Sequence, residues 1–204
     1  MKIYDITAPL FTGMPKYPSL RDFELNWDRR LDQNDGVNLS NMCMQMHIGT
    51  HADAPLHYKE KGKSIDKIDL SIFVGKAWVA HSPSLVIQSE TVDSIPEGYK
   101  RLLFRTPFSE ADKDGQRGAF FSDEAAQRLV ARGAVLVGID SFSVDKPGRA
   151  QKTVHHLLLG AGMALLEGLE LNSIENGEYW LSAAPLKVRG AEGAPCRAYL
   201  FRDI

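Results

Sequence analysis

Cysteine is scarce in this chain. Its 204 residues hold two, Cys43 and Cys196, far apart and outside any Cys-x-x-Cys pair. A disulfide framework and a thiolate-rich structural zinc module are thereby excluded, because both need grouped thiols. Each cysteine is expected as a buried structural thiol. Long apolar runs are missing too. Met1 to Leu10 carries Lys2 and Asp5 and no sustained hydrophobic stretch, so neither a signal peptide nor a membrane span is expected and the cytoplasm is the expected compartment. An excess of one charge is also lacking, with 24 Lys and Arg against 26 Asp and Glu. No basic cluster interleaves with aromatics, and nucleic acid is not an expected partner. There is no internal repeat and no linker. The length suits one sizeable core, so residues 1–204 are read as a single domain.

What the chain does contain is a dense run of metal-type donors. From His47 to His57 it reads His-Ile-Gly-Thr-His-Ala-Asp-Ala-Pro-Leu-His. A lone histidine is usually a surface or hydrogen-bonded core residue, but three imidazoles and a carboxylate within eleven positions are rarely needed for folding. Imidazole nitrogen and carboxylate oxygen are the ligand set of a borderline divalent ion such as zinc, manganese, iron or cobalt. Met42, Met44 and Met46 alternate with Cys43, Gln45 and His47, which predicts a strand ending near His47. Gly49 and Pro55 do not belong in a helix interior, so the cluster is not a helical His-Glu-x-x-His site. In an extended stretch His51 and Asp53 point the same way. A bend at Gly49 brings His47 beside them, and His57 curls back beyond Pro55.

The rest of the chain reads as many short strands with few helices. Strands are predicted over Lys2–Ile6, around Phe23, Leu25 and Trp27, and over Ala77–Ala80, Leu85–Gln88, Arg101–Arg105, Ala134–Ile139, Met163–Leu166, Tyr179–Ala183 and Arg197–Phe201. Ser122–Gly133 is a helix with Ser122 as N-cap, Asp123 and Glu124 in its first turn and Gly133 as terminator. Thr153–Gly160 is a second. The charged segment 106–118 is read as a solvated loop, with a lid as the other reading. Strands mixed with helix-then-strand units indicate one mixed α/β domain.

The cluster alone allows a three-ligand metal through His47, His51 and Asp53. More distant donors are His155 or His156, with Glu167. Glu167 lies in an apolar stretch, where an acid is costly to bury unless it is paired or metal-bound. The other reading is an end-of-strand acid that reaches solvent beside Gly168.

Taken together, these residues resemble a known family. His47-x-Gly-Thr-His51-x-Asp53-x-Pro-x-His57, followed by His155 through Glu167-Gly-Leu169, resembles the metal-dependent cyclase family and its bacterial kynurenine formamidases. Tyr4-Asp5-Ile6-Thr7-x-Pro9-Leu10, Gly138-Ile-Asp140-Ser141-x-Ser143-Val-Asp145 and Pro185-Leu-Lys187 through Arg197-Ala198 match further stretches in order. The resemblance implies a swivelling β/β/α fold and a homodimer or homotetramer. It implies that His47, His51 and Asp53 bind one metal, and that Asp53 bridges to a second held by His155 and Glu167. The twelve-residue separation from Glu167 favours His155 over His156. His57 matches the family's catalytic histidine, a proton shuttle rather than a ligand.

The implied activity is hydrolysis of a small amide, N-formylkynurenine to formate and kynurenine, by a metal-activated water. The alternatives are isatin hydrolase-like opening of a cyclic amide or lactone, and a non-catalytic member that binds a metabolite. The family's Trp-Pro-Gly-Asp-Thr-like stretch is replaced here by Lys16-Tyr17-Pro18-Ser19-Leu20. Lys146 stands where a proline is usual, and the loop to His155 is short. These departures fall in pocket-forming regions, not at the metal positions. Tyr17, Phe142 and Trp27 are candidates to line the substrate pocket, with core packing the commoner role for any one aromatic.

Overall fold

Apolar runs in this sequence become strands whose two faces feed two different cores. The computed structural model describes residues 1–108 and 118–202. The reading of the charged 106–118 segment therefore lies largely outside the described residues. The first half of the chain carries β1 (Lys2–Asp5), β2 (Glu24–Arg29), β3 (Leu39–Cys43), β4 (His51–Asp53), β5 (Val74–His81), β6 (Val86–Ile87), α1 (Ser89–Asp93) and β7 (Arg101–Arg105). The second carries β8 (Phe120–Phe121), α2 (Asp123–Ala131), β9 (Leu136–Ile139), α3 (Thr153–Gly160), β10 (Ala164–Glu167), β11 (Gly177–Ser182), β12 (Gly193–Pro195) and β13 (Tyr199–Arg202).

A nine-stranded mixed sheet runs β1-β13-β11-β5-β7-β9-β10-β4-β12. Its middle four strands, β5, β7, β9 and β10, are parallel. The strands on either side pair antiparallel. Side chains alternate across a strand. Leu102 and Phe104 of β7, Val137 and Ile139 of β9 and Leu165 of β10 accordingly join the core under the helices, with Val92, Leu129 and Leu158. Leu103, Leu136 and Leu166 join the opposite core with Ile6, Phe73, Leu171 and Leu200. Burial on both faces is why these strands read as continuous apolar runs. The mixed α/β architecture with few helices agrees with the sequence. No helix among the described residues is long and apolar enough to cross a membrane.

Local signals hold at the helices. The Ser122 hydroxyl accepts from the Ala125 amide at 3.1 Å, as an N-cap should, and α2 buries Ala125, Ala126 and Leu129. α3 occupies Thr153–Gly160 as expected.

The strand predicted to run to His47 is a correction. β3 stops at Cys43 and pairs with β2 alone, in a two-stranded arm outside the large sheet. Residues 44–50 cross from this arm into the sheet, so alternation marked extended chain without saying which sheet it joins. Cys43, expected to be buried, is exposed, whereas Cys196 is buried as expected. A two-stranded ribbon covers neither of its own faces, and Leu25, Trp27 and Met42 on the arm are exposed as well.

A close backbone approach locks β10 against the bend that precedes β4. The two strands pair antiparallel, placing Glu167 opposite His51. Directly after Glu167, Gly168 sits at φ +66°, and a Cβ there would lie 2.4 Å from the Gly49 carbonyl oxygen. Gly49 itself is at φ +67°. The Thr50 hydroxyl donates to the Gly168 carbonyl at 2.6 Å and closes the junction. Gly168→Ala is expected to cost about 2 kcal/mol or more of stability, since both the left-handed backbone and the contact forbid a side chain. Thermal melts of the metal-free variant check this, and an unchanged midpoint would show that the junction tolerates a Cβ.

Candidate metal centre

β4 lies between β10 and β12, and its alternation sends Ala52 into the core while His51 and Asp53 share the other face. The bend at Gly49 returns the chain so that the His47 and His51 rings meet edge to face, with centroids 5.0 Å apart. A single 3-10 turn over Pro55–His57 then folds His57 back. Its ring stacks on His47 at 4.0 Å and 25°. α3 turns His155 inward and leaves His156 exposed. Glu167, at the end of β10, is 3% exposed, and the solvent-facing reading does not hold.

The donors converge. His51 Nε2 lies 3.4 Å from both Asp53 Oδ1 and Glu167 Oε2. His155 Nε2 lies 3.5 Å from Asp53 Oδ2 and 3.3 Å from Glu167 Oε1. His47 Nδ1 lies 2.8 Å from Asp53 Oδ1. Each inner histidine is oriented through its other nitrogen. His51 Nδ1 donates to the Gly49 carbonyl at 2.9 Å, and His155 Nδ1 donates to Asp145 Oδ2 at 2.6 Å. Such backing by a carbonyl or carboxylate is the arrangement that aims Nε2 at a metal. Donor atoms of His51, Asp53 and Glu167 fall within 4.8 Å of one another, as do those of His47, Asp53 and His57.

A family model described as "Putative cyclase" matches residues 4–146. The chain belongs to this cyclase family. A kynurenine formamidase from Paracidovorax citrulli is 33% identical over 206 residues, covering 97% of this chain and 95% of that protein. A solved structure described as a predicted metal-dependent hydrolase, from Bacillus stearothermophilus, superposes with a TM-score of 0.82 at 30% identity, covering 98% of this chain and 97% of its own. Isatin hydrolase A from Labrenzia aggregata shares the fold, with a TM-score of 0.85, 24% identity, and coverage of 98% and 93%. This cyclase-family protein is an enzyme, a hydrolase.

The cluster opens into a cavity of about 220 Å³ lined by Tyr17, Leu20, Tyr58, Phe142, Ser143 and Lys152 together with the histidines and Glu167. Tyr17 and Phe142 are thus at the pocket, as their sequence context suggested. Trp27 is not, since it lies on the exposed arm. Several residues around the cluster were not picked out from sequence. Glu192 approaches His47 Nε2 at 3.2 Å, and Tyr58 stacks on His155 at 4.6 Å and 30°. Asp145 accepts from the Val154 and His155 amides as well as from the His155 ring. The signal for Asp145 was present in its spacing, ten residues ahead of His155 at the start of a helix that lacks any other cap. Glu192 and Tyr58 carried none.

Two buried atoms in this cluster lack any hydrogen-bond partner, His51 Nε2 and Asp53 Oδ2. Orphaned donors and acceptors of this kind are costly inside a protein. A nitrogen and an oxygen left free side by side, in a His and carboxylate set, fit a divalent ion. Electrostatics points the same way. Burial pushes Asp53 up, but His155, His47 and His51 hold its carboxyl well below the ordinary range. Burial opposes charge on His51, and the Asp53 and Glu167 carboxylates outweigh it, raising the imidazole to about 10. Without a metal these buried acids therefore favour the protonated forms of His51 and His155. The folded value for His51 lies above its unfolded value of 6.5, so its stabilising contribution is complete below that pH and lost as pH climbs toward 10. Metal-free protein is expected to lose thermal stability across this window, and His51→Gln to flatten the loss. Melts in a pH series read the slope, and equal slopes would contradict the assignment.

Proposed function

We propose that this hydrolase cleaves a small aryl amide, N-formylkynurenine or a close analogue, to formate and the free arylamine. The observation that carries the reading is one cavity lined by His47, His155 and Glu167 of the donor cluster and by His57, whose ring stacks on His47. Similarity to kynurenine formamidases over nearly the whole chain supports the substrate class.

In this reading His47, His51 and Asp53 would hold one divalent ion, and Asp53, His155 and Glu167 would hold a second, with zinc the first choice and manganese the alternative. When bound, such an ion polarises the substrate carbonyl and makes a water acidic enough to attack it. The chain's own groups then handle protons and position. Burial lowers His57 to about 4, against the pull of Asp53, so its ring is neutral near pH 7 and free to accept the proton of the attacking water. Attack forms a C–O bond at the formyl carbon. Breaking the C–N bond then needs a proton on the nitrogen, since an arylamide anion is a poor leaving group. A histidinium that releases its proton readily delivers it there. Tyr17, Tyr58 and Phe142 supply aromatic walls for the aryl ring.

The substrate is a small molecule, and the assembly is a homo-oligomer. The latter is supported by Leu25, Trp27 and Met42, exposed on the β2–β3 arm with Leu25 and Met42 directly paired.

N-formylkynurenine hydrolysis by metal-loaded protein, followed by kynurenine absorbance, tests the reading. Activity should vanish on chelation and return with metal. His57→Ala should lower kcat by about 10²- to 10⁴-fold with metal content unchanged, and loss of metal instead would make His57 a ligand. Asp145→Asn should weaken metal binding by about 10- to 100-fold, measured by competition with a chromophoric chelator. Unaltered affinity would remove Asp145 from the support of His155.

A further inference from the structure

We propose that Lys152, held by Tyr17, is an anion subsite that selects substrates carrying a carboxylate remote from the scissile amide. This rests on the amide-hydrolase reading above and names what a further group of the same cavity recognises.

Lys152 is the one lysine or arginine among the described residues lining that cavity. It stands immediately before α3, three positions ahead of His155, so its backbone is fixed by the same helix start that presents a cluster histidine. Its Nζ donates to the Tyr17 hydroxyl oxygen at 3.2 Å and lies 5.4 Å from the ring centroid. This partner is neutral, so it steers the ammonium without cancelling its charge. The Tyr17 O–H remains available to donate to the same anion. Asp145 and Glu167 are already engaged. Asp145 accepts from His155 and two helix amides, and Glu167 accepts from the Val144 amide at 2.7 Å. Because Asp145 occupies the amides at the start of α3, the anion would be met by side chains rather than by the helix end.

The cavity thus holds histidines with Glu167 and, three positions before His155, an ammonium paired with a phenol. Phe142 and Tyr58 line it as well. A ligand that meets both sets of groups has a formamide on an aryl ring and a carboxylate on a side arm, as N-formylkynurenine does. An uncharged cyclic amide of the isatin type leaves Lys152 without a counter-charge. Lys152 therefore separates the two substrate classes that the fold family accommodates.

Paired ligands test this. L-Kynurenine keeps the carboxylate arm, and 2-aminoacetophenone is the same aryl ketone without it. Calorimetry would compare both on metal-loaded wild type, Lys152→Met, Lys152→Arg and Tyr17→Phe, alongside kcat and KM on N-formylkynurenine and on formanilide. Lys152→Met is expected to weaken kynurenine by about tenfold while leaving 2-aminoacetophenone unchanged. KM for N-formylkynurenine should rise, formanilide turnover should not move, and Lys152→Arg should restore most of the binding. Equal effects on both ligands, or none on kynurenine, would overturn the subsite. If formanilide is cleaved while kynurenine binding ignores Lys152, the subsite falls and the hydrolase reading stands. If no amide is cleaved yet kynurenine binding depends on Lys152, the hydrolase reading falls and the subsite stands.

Discussion

Two carboxylates buried beside one another need positive charge within reach, and the site is organised around that need. Asp53 and Glu167 are almost fully removed from water. Unpaired, such groups would be far too costly to desolvate. Three imidazoles surround them, and the carboxylates raise two of these, His51 and His155, above the ordinary histidine range. A divalent ion satisfies the same need more completely. It would also give a partner to the two atoms that the protein leaves unpartnered, His51 Nε2 and Asp53 Oδ2.

The sheet explains how the chain can hold this arrangement. The parallel strands β7, β9 and β10 end at the same edge, where open α/β sheets characteristically place their ligands. Thr106 follows β7, the segment 140–145 follows β9, and Glu167 closes β10. Asp140 accepts both the Thr106 amide and hydroxyl at 2.7 Å, tying the first two together. The Val144 amide fixes Glu167. β4 is then added antiparallel beside β10, carrying its donors to a level set by register. Two strands running in opposite directions thus place their acids at one point, and the Gly49–Gly168 contact leaves no slack between them.

Much of this was legible in the sequence, for local reasons. His51 and Asp53 two apart in extended chain must share a side, and Gly49 marks a bend that L-residues avoid. Ser122 and Gly133 bound a helix by capping alone. Glu167 and the choice between His155 and His156 stayed open on local grounds. Burial of an acid in an apolar run is settled by its partners, and adjacent helix residues differ only by which face meets the sheet. Alternation around Met42, Met44 and Met46 misled because a ribbon and a buried strand share a period of two. The roles of Tyr58, Glu192 and Lys152 were not readable, since their contacts are made with groups distant in the chain or above the plane of a ring.

The sequence by itself determined the inventory of donors, the bends that let a short segment present four of them, and the capped extent of α2. These depend on φ, ψ and side-chain periodicity, which neighbouring residues control. Only the tertiary structure decided which donors face one another, which nitrogen of each histidine is free, and that a lysine and a tyrosine line the same cavity. Those are matters of strand pairing across the chain, as between Thr50 and Gly168, 118 residues apart. Such pairing is chosen by the burial of both sheet faces at once rather than by any local stretch of residues.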